Sequence, residues 1–190
     1  MSTTTHETST SARVAGFAAA HVADSNAAAE RFFHEHADAV ARACHAMAAR
    51  FQRGGRLLAH GGGAQRSDVA HVVVEFVHPV IVGKRALPAM ALETPGALEV
   101  LGREDDVLML LCAGAPGAAE AGALARARAR GMLVLALTGE ARPGGEAVDA
   151  DFHFAVPSGD PLVVQETHET LYHVLWELVH VFFEHRAVTA

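Results

Sequence analysis

Cysteine and the large aromatics are scarce: the 190 residues hold two cysteines, one tryptophan and one tyrosine. Cys44 and Cys112 have no metal-motif spacing and lie among apolar neighbours. They read as buried free thiols of a reducing compartment, which sets aside a disulfide framework. Positive charge is also short, with 15 Lys and Arg against 22 Asp and Glu and a formal charge of −7. Nonspecific nucleic-acid binding needs a basic face and is argued against. No apolar run approaches the ~20 residues that span a bilayer, and no basic amphipathic stretch suits a membrane surface. The opening "MSTTTHETSTSARVAGF" lacks the charged-then-apolar order of a secretory signal. A cytoplasmic protein that binds neither nucleic acid nor membrane is expected.

Small apolar residues and histidine are what the chain has in quantity. Half of it is hydrophobic, and 13 residues are histidine. The length suits one domain with a sizeable core. Residues 1–11 read as a disordered lead-in, and residues 12–190 as a single domain with an N-terminal helical extension. A helix is expected near Ala12 to Asp24, broken at Asp24-Ser25-Asn26. A second runs from Ala27 to Arg53, where Phe33, Val40, Cys44, Met47 and Phe51 recur at helical spacing. The glycines of "RGG" stop it.

Beyond this point strands alternate with helices. "RLLAH" is a short strand; Gly61, Gly62 and Gly63 permit a tight turn; Ser67 is a good N-cap for a helix to about Val77, which Pro79 ends. "ALPAMAL", Val107 to Cys112, "MLVLALTG" and "DFHFAV" are further strands. Gly117 to Arg130 is a helix, and Asp160-Pro161 opens a long final one. This pattern makes a parallel-sheet α/β domain, whose ligands favour the carboxyl ends of strands.

Two helices carry unusual polar content. His71 and Glu75 stand four apart and share a face, as do Glu169 and His173. Such pairs on two helices can chelate a divalent ion between imidazole and carboxylate donors. They can equally be half-buried histidines with solvated carboxylates. Neither Ser67 nor Ser158 has an elbow motif, so a serine nucleophile has little support. The triple glycine lacks both the P-loop lysine and the GxGxxG spacing. Lys84 and Arg85, in a loop, could meet an anionic substrate or simply be solvated.

The segments "LLAHGGGAQRSDVAHVVVEF", "LPAMAL", "ARARGMLVLALTG" and "VQETHETLYHVLWELV" resemble, in order and spacing, the sugar isomerase (SIS) fold. Within it they are most similar to phosphoheptose isomerases, from about Ala27 to His185. The resemblance implies a three-layer α/β sandwich with a five-stranded, mostly parallel sheet. It implies a divalent metal, zinc above others, on His71, Glu75, Gln165 and His173, with His168 and Glu169 beside them. It also implies aldose–ketose isomerisation of a sugar phosphate or related carbonyl compound, with Glu75 as base and His173 as acid. The expected assembly is a homodimer or homotetramer with sites near subunit contacts. Gln165 and His173 lie eight residues apart, a rise of ~12 Å, so their convergence on one ion is the part least explained by helix geometry.

Two departures stand out. The family holds phosphate with loops rich in Ser and Thr. Here the matching backbone is Gly61, Gly62, Gly63 and Gln65 in one loop and Ala113, Gly114 and Gly117 in the other, with no hydroxyl in Cys112 to Gly117. Each charge-assisted bond so lost weakens phosphate by ~1.5–3 kcal/mol. In addition, only Glu93 to Asp106 stands where the family has a longer helical insertion. Both departures admit a different, unphosphorylated substrate or a non-catalytic binding module.

Overall fold

The computed structural model describes residues 3–140 and 147–187. Helix α1 (Thr3–Gln52) runs unbroken through Asp24-Ser25-Asn26. It also enters the stretch expected to be a disordered lead-in. The expected break is absent because Ser25 does not cap a new helix. Its hydroxyl donates to Glu166, whose other carboxylate oxygen lies 3.1 Å from His21 Nε2. The "RGG" stop holds: Gly54 takes φ +88°, open to glycine and strained for other residues.

Five parallel strands follow: β1 (Leu57–His60), β2 (Ala89–Ala91), β3 (Val107–Leu111), β4 (Leu133–Thr138) and β5 (Phe152–Ala155), in the order β2-β1-β3-β4-β5. Register pairs Leu57 with Val107 and Leu110 with Ala136. All of β1, β3 and β4 is buried, as continuous apolar strands covered on both faces should be. Period-two alternation sorts the side chains. Leu57, Met109, Leu111 and Leu135 join one core with Phe32, Met47, Phe76, Leu171 and Trp176; Leu58, Leu108, Leu110 and Val134 join the other with Leu98, Leu124 and Ala127. The layers are therefore α1, α2 (Arg66–Val77) and α5 (Pro161–Ala187) on one face, and α3 (Leu98–Leu101) and α4 (Ala118–Ala129) on the other.

Ser67 is not an N-cap. A 3₁₀ turn at Gly63–Gln65, with Gly63 at φ +60°, starts the helix earlier, and the Ser67 hydroxyl donates back to the Ala64 carbonyl at 2.8 Å. Lys84 and Arg85 are tied to α5. Lys84 pairs with Glu184, and the Arg85 guanidinium lies 5.1 Å over the Phe183 ring. Both cysteines are free and buried, and burial pushes each thiol up to about 12. Among the described residues, no helix is long and apolar enough to cross a membrane.

At the amino ends of the strands Asp106 is 1% exposed and receives Arg56 twice through its side chain. The backbone N–H groups of Arg56 and Arg103 donate to it as well. At the carboxyl ends the order reverses between β1 and β3, because β1 connects to β2 on one side while β3 lies on the other. In open α/β sheets such a reversal opens the ligand crevice.

Candidate metal and active site

Helices α2 and α5 face each other with matched polar stripes. On α2 the residues are Asp68, His71 and Glu75, at i, i+3 and i+7; on α5 they are Gln165, Glu169 and Tyr172-His173. Contacts climb in step. Gln165 Nε2 donates to Asp68 Oδ1 at 2.7 Å. One level on, His71 Nδ1 lies 3.5 Å from Glu169 and 2.8 Å from the Tyr172 hydroxyl. His71 Nε2 lies 3.4 Å from His173 Nε2 and 3.4 Å from Glu75 Oε1, and His173 Nε2 is 3.8 Å from Glu75.

These three edges test whether an ion fits. A tetrahedral zinc with bonds of about 2.0–2.1 Å has donor–donor edges of about 3.3–3.4 Å. The His71, Glu75 and His173 donor atoms already sit close to that spacing. Glu169 also lies with the two imidazoles in a group able to hold a metal. The two carboxylates differ in setting: the Glu75 side chain is 15% exposed and that of Glu169 46%. The more buried carboxylate has less water to compete with for an ion or a proton.

Gln165 sits one level away, engaged with Asp68 and, at 3.5 Å, with the Ser67 hydroxyl. The ~12 Å rise between positions 165 and 173 thus corresponds to two rungs of the same ladder. Because its amide N–H is taken by Asp68, the carbonyl oxygen is the atom Gln165 has left for a ligand. His168 is a different matter. Adjacent helical residues diverge by ~100°, so with Glu169 at the cluster His168 turns to the sheet. It is fully buried, and its Nε2 donates to the Thr138 carbonyl at 3.2 Å. Burial drives its pKa down to about 4. His168 is an anchor of α5 on β4, not a neighbour of the donors.

Three side chains that the sequence reading did not place at the site belong to its surroundings. Tyr172 is fully buried. Burial first, then the charges of Glu169, Asp68 and Glu75, push its phenol well up, so it stays a neutral partner for His71 Nδ1. Asp68 is 4% exposed, and burial raises its carboxyl despite the Gln165 bond; its Oδ2 has no partner. Asp68 could have been suspected, since it stands three residues before His71 on the same face.

The third is Glu120. At the crevice between β1 and β3 lies a cavity of about 180 Å³ lined by Leu111 to Ala115, Gly62, Gln65, Gly117 and Glu120. All loop residues expected around a phosphate except Gly61 and Gly63 line it. Glu120 is the one charged residue among them, in the first turn of α4. Its carboxylate spans the two loops. A Cβ built on Gly62 would lie 3.1 Å from Oε1, and one built on Gly117 would lie 2.9 Å from Oε2.

A parallel five-stranded sheet with helices on both faces, and a donor cluster between α2 and α5, defines a sugar isomerase (SIS) fold. It superposes on phosphoheptose isomerases from Francisella tularensis, at TM-score 0.78 and 23% identity over 88% of this chain and 98% of that one. The Neisseria gonorrhoeae phosphoheptose isomerase gives TM-score 0.76 and 25% identity over 87% and 98%. No family model matches the chain. In sequence it is 32% identical to the phosphoheptose isomerase of Solidesulfovibrio magneticus over 185 residues, 87% of this chain and 90% of that protein. It is 32% identical to that of Desulfovibrio desulfuricans over 90% of each. The chain belongs to the phosphoheptose isomerase family and is an isomerase.

Proposed function

We propose that the protein is a metal-dependent aldose–ketose isomerase that moves one proton between adjacent carbons of a sugar through an enediol(ate). The observation that carries this reading is the spacing of the His71, Glu75 and His173 donors, 3.4 to 3.8 Å from one another. Membership of a family of sugar-phosphate isomerases supports the substrate class. His71, Glu75 and His173 would hold the ion, zinc on its imidazole and carboxylate donors, and Gln165, now on Asp68 one level away, would add its carbonyl oxygen by turning toward them. The bound ion supplies positive charge that polarises the substrate carbonyl.

The chain's own groups do the rest. Glu75 has one carboxylate oxygen at the cluster and a second with which to take the proton from the carbon beside the carbonyl. His173, through the ring nitrogen that the ion would leave free, returns a proton to the neighbouring carbon. The proton held on Glu75 then passes back to His173, which resets both groups. The Tyr172 hydroxyl, on His71 Nδ1, fixes that ring so that Nε2 faces Glu75 and His173. Partners of this kind are typically worth 10–100-fold in metal affinity. Tyr172→Phe should therefore weaken metal binding by about 10–100-fold, measured by competition with a chelating dye. An unchanged affinity would remove Tyr172 from the site.

Elemental analysis of the purified protein tests the reading as a whole. One divalent ion per chain is expected, lost in His71→Ala and His173→Ala together with isomerisation of a heptulose or its 7-phosphate, whichever the wild type turns over. A wild-type chain that isomerises while free of metal would sink it. Assembly into a homodimer or homotetramer is part of the same proposal. Val80, Ile81 and Val82 are exposed together on one loop, and Val14, Phe17 and Val22 on α1, as apolar surface a second copy would cover. A monomer by light scattering contradicts it.

A further inference from the structure

We infer that Glu120 is a specificity-determining residue: its carboxylate fills the loop cradle, so this end of the substrate carries hydroxyl groups and not a phosphate. The inference rests on the isomerase reading and narrows its substrate. The cradle lies at the topological reversal between β1 and β3, and α4 begins beside it, two features that suit an anion. Here the chain supplies the anion itself. The two Glu120 oxygens reach Gly62 on the first loop and Gly117 on the second, at the distances a Cβ on either glycine would register as crowded.

Nor is the carboxylate consumed by the helix. Glu120 stands third in α4, after the N-cap Gly117, where a carboxylate can accept from the N-cap backbone N–H, and no such hydrogen bond forms here. Among the described residues no hydrogen bond or ion pair engages Glu120, and the cavity offers neither a basic nor a hydroxyl side chain to offset its charge. Its field is felt locally, since Glu120 adds to burial in raising the Cys112 thiol. An ionised carboxylate only accepts hydrogen bonds. Sugar hydroxyls can donate to it. A phosphate ester, itself negative and rich in acceptors, meets a like charge in the same small space, and a like-charge contact at this range costs on the order of 100-fold in affinity or more.

The test separates this inference from the isomerase reading, because part of it needs no turnover. Inorganic phosphate is titrated calorimetrically into the wild-type chain, Glu120→Gln and Glu120→Ala at fixed ionic strength. In parallel, kcat/KM is measured for a heptulose and for its 7-phosphate. The expected result is no phosphate binding at millimolar concentration to the wild type and measurable binding to both variants. The ratio of kcat/KM for the phosphate over the free sugar should rise about 100-fold in Glu120→Gln. If the wild type binds phosphate as tightly as the variants, or the ratio is unchanged, the inference is overturned. If phosphate binding shifts as expected while no protein isomerises either sugar, Glu120 keeps its role and the isomerase reading fails instead.

Discussion

Glu75→Gln is expected to lower kcat by about 10²–10⁴-fold, the usual worth of a positioned general base. The amide keeps an oxygen where Oε1 lies, 3.4 Å from His71 and 3.8 Å from His173, so metal and substrate can still be held. What it cannot do is accept a proton. KM should therefore change much less than kcat, the pattern of an interaction made only in the transition state. Glu169→Gln is the informative companion. That carboxylate is also near His71, at 3.5 Å, but about half exposed, and its loss should cost far less. Should steady-state assays show the large loss in Glu169→Gln and a small one in Glu75→Gln, the base has been assigned to the wrong carboxylate.

Asp106→Ala is expected to cost stability and leave chemistry alone. Asp106 is buried at the amino ends of β1 and β3, opposite the loops of the crevice. It accepts from the Arg56 side chain at 2.6 and 3.2 Å and from two backbone N–H groups. Removing it leaves a guanidinium whose side chain is only 19% exposed with the Leu101 carbonyl, at 2.6 Å, as its remaining acceptor. The loss of one partner of a buried pair costs about 3–5 kcal/mol. For a chain of this length that is a fall in Tm of roughly 6–20 °C. Denaturant unfolding checks the first figure, and the folded fraction should isomerise at the wild-type rate. A loss below about 1 kcal/mol would mean that the pair behaves as a solvated surface bridge.

Most of the scaffold was legible in the sequence because buried parallel strands are short, apolar and bounded by glycine or proline. "RLLAH", Val107 to Cys112 and "MLVLALTG" each matched a strand to within a residue or two. Helix ends were less legible. Asp24-Ser25-Asn26 reads as a break, yet Ser25 spends its hydroxyl on Glu166, 141 positions away, a contact no local pattern carries. Ser67 was displaced from the cap by a 3₁₀ turn that only the backbone reveals. The site was half legible for the same reason. Spacing of four paired His71 with Glu75 and Glu169 with His173, and the structure brings all four together. Spacing could not tell that Gln165 lies opposite Asp68, or that His168 faces the sheet. Tyr172 on His71 and Glu120 across two glycine loops are tertiary facts.

Activity followed as a function of metal content tests the central claim most directly. The chain is stripped with a chelator and reloaded with zinc in steps, and isomerisation of the heptulose and its phosphate is measured at each step. Turnover should be negligible in the stripped chain and rise in proportion to bound metal, to a plateau at one ion per chain. Stripped protein that turns over as fast as loaded protein would contradict the assignment of His71, Glu75 and His173 as a metal-dependent, proton-moving centre.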